Sequence, residues 1–263
     1  MLLHGLLGSK SNWKNITNNR LLKDDLNFLK IDLRNHGFSN HSDSMTYKEM
    51  SIDVFESIYS NFIRNNIFQK FYLLGHSMGG KVSILFALMY PHLLLGLIIL
   101  DTSPEDYLDD KTIFYEMKYI SEFLYNYNIK NKSKELIISE LENEFGLDMA
   151  YLISSNIIIK QDLLLNKWKI NIKSIYNNIN NILSWKDVDL KYIGPVCIIN
   201  GKNSYKFSFE SYKKYFPNIK LSDVNCIEDA GHWVHIDKPT EVVNVIRKFI
   251  KLENEKNRED NCL

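Results

Sequence analysis

Phe71-Tyr72-Leu73-Leu74-Gly75-His76-Ser77-Met78-Gly79-Gly80-Lys81 decides the reading of this 263-residue chain. Four residues of strand character run into a G-x-S-x-G turn, and Met78 to Tyr90 then carries the periodicity of a helix. A tight strand-to-helix turn of this kind holds its serine out at the tip, and the flanking glycines leave room for neighbouring backbone. Ser77 is therefore the candidate nucleophile. The N–H of Met78, at the start of the helix, is a candidate donor to an oxyanion.

Two further motifs flank this turn at long range. His4-Gly5-Leu6-Leu7-Gly8 lies upstream, and the backbone N–H of Leu6 would supply the second oxyanion donor. His4 itself reads as a structural hydrogen-bonder. Asp229-Ala230-Gly231-His232-Trp233 follows the last expected strand, in the chain order that places a general base after the nucleophile. His232 is the candidate base, with His235, one helical turn away, as the rival; His76 is expected to point away, while His36 and His92 lie at turns. The acid is more open. Leu100-Asp101-Thr102-Ser103-Pro104 puts an aspartate at the tip of the strand after the elbow helix, close enough in a parallel sheet to orient the imidazole. Asp101 is the candidate, with capping of the next segment as its bland alternative. Asp187, Asp189 or a dyad supported by solvent are the other possibilities.

Around these motifs, apolar runs alternate with amphipathic stretches. Leu26 to Leu33, Phe71 to Gly75, Gly96 to Asp101, Val196 to Asn200 and Leu221 to Ile227 read as strands. Tyr47 to Asn65, Met78 to Tyr90, Phe207 to Tyr215 and Thr240 to Leu252 read as helices, the last begun at Pro239. Residues 104–189 show no strand; Ile113 to Asn126, Lys134 to Phe145, Met149 to Ile159 and Ile172 to Leu183 read as helices. The expected organisation is a split α/β core, residues 1–103 and 190–252, with a helical cap over residues 104–189 and a charged tail over 253–263. Tyr115, Tyr119, Phe123 and Trp168 of the cap could line an apolar site or could be ordinary core. The charged turn Asp32-Leu33-Arg34-Asn35-His36-Gly37 reads as structural, tying loops beneath the site.

Composition narrows the class. Lysine plus arginine equals aspartate plus glutamate at 32 each, so the chain lacks the basic footprint of a nucleic-acid binder. Cys197, Cys226 and Cys262 have neither disulfide-framework nor zinc spacing, which fits a reducing compartment. No apolar run reaches the length of a membrane span, and no signal peptide is visible. An intracellular location, cytoplasmic or mitochondrial, is the expectation.

His4-Gly-Leu-Leu-Gly-Ser9 with Trp13, Asp32-x-Arg34-x-His36-Gly37-x-Ser39, Gly75-His-Ser-Met-Gly-Gly-Lys81, Asp101-x-x-Pro104 and Gly231-His232-Trp233-x-His235 occur here in one order. In that order they resemble the alpha/beta-hydrolase superfamily serine esterases, and within them the bacterial YbfF-type esterases and the eukaryotic alpha/beta-hydrolase-domain-eleven proteins. The resemblance implies a mostly parallel sheet with helices on both faces. It also implies hydrolysis of carboxylic esters or thioesters of short to medium acyl chains, with no metal or organic cofactor. Most alpha/beta hydrolases carry their acid as G-x-x-D after the strand following the cap, where this chain has Gly201-Lys202-Asn203-Ser204; in the resembling family it sits where Asp101 does. Family members also have two strands and most of a third ahead of the HG loop, whereas here Met1-Leu2-Leu3 runs straight into His4. The expectation is an N-terminally truncated sheet, with only a stub of strand before His4 and an exposed edge near Leu29 to Asp32. Another chemistry on the same fold, a ligand-binding protein without turnover and an inactive truncated form are the alternatives.

Overall fold

The computed structural model describes residues 1–62, 69–205 and 208–260. In chain order it contains β1 (Leu2–Leu3), α1 (Lys14–Thr17), α2 (Arg20–Lys23), β2 (Lys30–Ile31), α3 (Tyr47–Asn61), β3 (Phe71–His76), α4 (Met78–Met89) and β4 (Leu94–Leu100). Then come α5 (Lys111–Asn126), α6 (Lys134–Phe145), α7 (Leu147–Ser154), β5 (Ile157–Ile158), β6 (Lys167–Trp168), α8 (Ile172–Asn177) and α9 (Ile179–Leu183). The chain closes with β7 (Val196–Gly201), α10 (Phe209–Lys213), β8 (Val224–Ile227), α11 (Val234–Asp237) and α12 (Pro239–Asp260). Residues 63–65 and Phe207 of two expected helices, and Cys262, lie outside the described residues.

Six strands form one sheet in the order β2-β1-β3-β4-β7-β8, every pairing parallel. Successive side chains of a strand face opposite ways, and the central strands use both faces. Leu73, Leu97, Ile99 and Ile198 pack into one cluster with Met50, Val54 and Ile58 of α3 and Val82 and Leu85 of α4. Leu74, Ile98, Leu100 and Ile199 pack into the other with Ile16 of α1 and Val242, Val243, Ile246 and Ile250 of α12. Both layers of helices follow from capping as well as periodicity. Thr46 and Glu49 form a reciprocal capping box at the start of α3, and Pro239 opens α12 where its missing N–H has no intrahelical partner to lose.

Several elements depart from the sequence reading, each for a local reason. The strand expected over Leu26 to Leu33 shrinks to β2, because its partner β1 offers only Leu2 and Leu3 for pairing; β2 is the sheet edge. The helix expected over Met149 to Ile159 ends at Ser154. Asn156 turns its amide onto the carbonyls of Leu7 and Leu152, and the β-branched pair Ile157–Ile158 then forms an antiparallel hairpin with β6, so residues 104–189 do contain strands. Ile172 to Leu183 is broken into α8 and α9 at Asn178, whose side chain bonds Asp43 O and Met45 N–H as well as Ser174 O. Leu221 to Asp223 is a 3₁₀ turn closed by Asp223 on Lys220 N–H, so β8 begins only at Val224. At the C-terminus α12 continues past Leu252 to Asp260.

Candidate active site

Ser77 stands between β3 and α4 with φ 51° and ψ −120°, a region that few residues with a side chain occupy. Bonds on both sides hold it there: its N–H donates to Leu100 O at 3.0 Å, and its carbonyl accepts Lys81 N–H at 3.1 Å. Close approach does the rest. A Cβ on Gly79 would lie 2.4 Å from His4 O, so only glycine lets the start of α4 press onto the end of β1. The HG turn is thereby brought beside the serine, where a Cβ on Gly5 would lie 3.2 Å from that of Ser77. Leu6 of that turn and Met78 line one cavity with Ser77.

Asp101 follows β4 directly, again at positive φ (48°), and His232 lies in the loop between β8 and α11. His232 Nε2 is 3.0 Å from Ser77 Oγ, and His232 Nδ1 is 2.6 Å from Asp101 Oδ2. The carboxylate is fully buried; Oδ1 accepts Gly201 N–H at 2.9 Å, and Oδ2 also accepts the Ser204 hydroxyl. An ionised carboxylate only accepts, so Nδ1 carries the imidazole proton and Nε2 is left to accept from Ser77 Oγ–H. The structure thus joins Ser77, His232 and Asp101 in one hydrogen-bonded chain at the carboxyl ends of β3, β4 and β8. It leaves Asp187 and Asp189 exposed and apart, the former bound to Lys214 and Tyr215.

A profile described as alpha/beta hydrolase fold matches residues 1–239. The chain belongs to the alpha/beta hydrolase fold family. Within it, the sn-1-specific diacylglycerol lipase ABHD11 of Xenopus laevis is 31% identical over 259 residues, covering 95% of this chain and 79% of that protein. Esterase YbfF of Escherichia coli is 27% identical over 252 residues, covering 95% and 92%. A solved marine microorganism esterase is 32% identical with a TM-score of 0.85, covering 94% of this chain and 93% of that one. This alpha/beta hydrolase is therefore related to the YbfF-type esterases and the ABHD11-like proteins, as its motifs imply.

The other histidines of the hydrolase have separate work. His235, the rival base, is buried against Trp13 (ring centroids 4.8 Å) and His76 (4.6 Å), does not reach Ser77, and is pushed down to about 3 by burial. Its Nδ1 and Trp13 Nε1 find no partner among the described residues. His76 was expected to point away; instead its ring lies 4.8 Å from that of His232, and its Nε2–H donates to His232 O at 2.8 Å. His4 bonds Gly5 O through Nδ1 and accepts Leu33 N–H at Nε2. His36 bonds Arg34 O through Nδ1 and accepts Leu7 N–H at Nε2, at 3.1 Å. Asp32 takes the N–H groups of Lys10 and Phe38, while Arg34 makes a bidentate pair with Asp53. The charged turn therefore has the structural part its charged residues suggest, tied to the HG loop through His36 and to Lys10 through Asp32.

A cavity of about 100 Å³ opens beside Ser77. From the helices between β4 and β7 it takes Ile113, Met117, Ile120, Met149, Leu152 and Leu183, an apolar wall. None of Tyr115, Tyr119, Phe123 or Trp168 lines it; Tyr115 and Tyr119 are 62% and 52% exposed, and Phe123 packs on Tyr127 and Phe145. Helical spacing alone could not tell the inner face of α5 from its outer one. Lys81 is buried and also borders this cavity. Its ammonium, pushed down to about 7 by burial, donates to Glu105 O at 2.7 Å and Leu183 O at 3.2 Å and lies 3.7 Å from the centre of the Tyr107 ring. The signal available in the sequence was a lysine, the one charged residue, in a largely apolar helix. Among the described residues no helix is long and apolar enough to cross a membrane.

Proposed function

We propose that this protein is a serine esterase that cleaves carboxylic esters or thioesters of short to medium acyl chains through an acyl-enzyme. The unbroken chain from Asp101 through His232 to Ser77 carries this reading. In the first half-reaction His232 Nε2 takes the proton of Ser77 as Oγ bonds to the acyl carbon. The carbonyl oxygen becomes an oxyanion that the N–H groups of Leu6 and Met78 hold, each such donor being worth about 3 kcal/mol in the transition state. The intermediate then expels the alcohol or thiol, which leaves with the proton from His232. Water attacks the acyl-serine with His232 as base, releasing the acid and restoring Ser77. Asp101 stays ionised throughout, fixing the imidazole and stabilising its cation.

Residues 104–189 serve as a cap in this reading, supplying the apolar wall against which the acyl chain lies. The esterase and lipase names of the relatives support ester chemistry on this chain. Hydrolysis of p-nitrophenyl acetate and butyrate by wild type and Ser77→Ala tests the proposal. Turnover that Ser77→Ala abolishes supports it; a folded wild type that neither turns over these esters nor reacts with a fluorophosphonate replaces it with ligand binding without turnover.

A further inference from the structure

We propose that Tyr205 determines specificity by walling the subsite for the leaving alcohol or thiol, fastened there by Glu116 of α5; this rests on the esterase reading above. Tyr205 belongs to the loop after β7, yet it reaches in two directions. Its ring meets that of His232 edge-on, with centroids 5.7 Å apart and planes at 65°. Its hydroxyl donates to Glu116 Oε2 at 3.1 Å. Between these two ends the ring packs on the buried cluster of Ile113 from α5 with Ile179 and Leu183 from α9, and it lines the same cavity as Ser77. One side chain thus spans from the candidate base to the helices between β4 and β7. Burial, and then the Glu116 carboxylate, push the phenol above its ordinary value, so at neutral pH it is protonated and donates.

The chemistry decides which part of a substrate this wall meets. To receive its proton, the leaving oxygen or sulfur has to come within hydrogen-bond reach, about 3 Å, of His232 Nε2. The oxyanion turns instead to the N–H groups of Leu6 and Met78. The alcohol or thiol therefore lies on the side of the acyl carbon that faces the imidazole, and Tyr205 stands against that imidazole. With only about 100 Å³ open beside Ser77, a ring held at this wall limits how large a leaving group fits. Packing anchors the ring at its body, and the exposed Glu116 anchors it at its tip. Loss of Glu116 loosens the wall; loss of the ring removes it.

The test compares two substrate pairs in the full chain, with folding checked by circular dichroism. Ethyl and benzyl butyrate differ only in the alcohol; ethyl butyrate and ethyl hexanoate differ only in the acyl chain. Tyr205→Ala is expected to raise kcat/KM for benzyl relative to ethyl butyrate by about tenfold or more, the scale on which one pocket group sets selectivity. Its hexanoate-to-butyrate ratio is expected to stay within about twofold of wild type. Glu116→Ala and Tyr205→Phe each break the tether and keep the ring. Each is expected to shift the alcohol ratio the same way by about threefold, and the double variant no further. Glu116 is on the surface, so its variant decides the matter if Tyr205→Ala fails to fold. An alcohol ratio within about twofold of wild type in the folded variants, or an acyl ratio that moves as far as the alcohol ratio, overturns the proposal while the esterase reading stands. A folded wild type silent towards these esters and towards a fluorophosphonate overturns both.

Discussion

His76 Nε2–H donates to the carbonyl oxygen of His232 at 2.8 Å, so the residue before Ser77 holds the loop that carries His232. The two imidazoles sit with centroids 4.8 Å apart, and burial pushes His76 well below the usual histidine range, keeping it neutral and a single donor. His76→Leu removes that donor and frees the loop, which is expected to lower kcat by about ten- to a hundredfold. His76→Gln, whose amide can replace Nε2–H, should recover most of it. Steady-state kinetics of the two variants check this, and equal losses would assign His76 to packing.

The geometry around Ser204 predicts that the acid can be moved. Asp101→Asn alone is expected to lower kcat on the order of a thousandfold or more, because the histidine loses its orienting charge. Adding Ser204→Asp places a carboxylate within reach of the same imidazole, and the double variant should regain at least about tenfold over Asp101→Asn. No regain, with both proteins folded, would mean that position 204 cannot deliver a charge to His232.

Lys81 predicts a coupling between α4 and residues 104–189. Its ammonium bonds Glu105 O near the start of residues 104–189 and Leu183 O near their end, where Tyr107 N–H also bonds Leu183 O at 2.9 Å. Lys81→Met takes this donor from Glu105 O, while Leu183 O keeps Tyr107 N–H, and should destabilise the fold by about 1–3 kcal/mol. Limited proteolysis should then cut within residues 104–189 before the core. Denaturant unfolding and mapping of the first cleavage sites give the two readouts.

Buried histidines make acid stability a further prediction. Burial pushes both His36 and His235 down to about 3, so the folded protein takes up these protons far later than the unfolded chain does. The unfolded state therefore binds more protons as pH falls below about 6.5, and stability is lost from there toward pH 3. Between pH 7 and pH 5 each histidine is expected to account for about 2 kcal/mol of that loss. The melting temperature across this range should fall, and His36→Gln should fall less steeply than wild type.

What the sequence disclosed and what it hid divide along physical lines. Ser77 was legible because a strained turn demands glycines around it, and glycines are visible in a sequence. Asp101 was legible as the residue after one strand and His232 as a residue of the loop after the last, because the carboxyl ends of parallel strands share one rim of the sheet and bring distant residues together. Ser204 and His76 were not, because their roles are single hydrogen bonds to partners more than a hundred positions away. The breaks at Asn156 and Asn178 were hidden for the same reason: each side chain bonds, besides its own helix, a carbonyl of the opposing segment, Leu7 or Asp43, that periodicity does not report. Which face of α5 met the cavity depended on how residues 104–189 settle on the core, so the exposed Tyr115 and the lining Met117 looked alike.

The central claim is that Ser77 becomes acylated through His232. The direct measurement is mass analysis of the protein quenched with acid during turnover of p-nitrophenyl butyrate, followed by peptide mapping. The account predicts one butyryl group per chain on the Ser77 peptide, a matching burst of nitrophenolate, and neither in Ser77→Ala. A folded protein that turns over the ester with no adduct and no burst, or with the adduct on another residue, would contradict it.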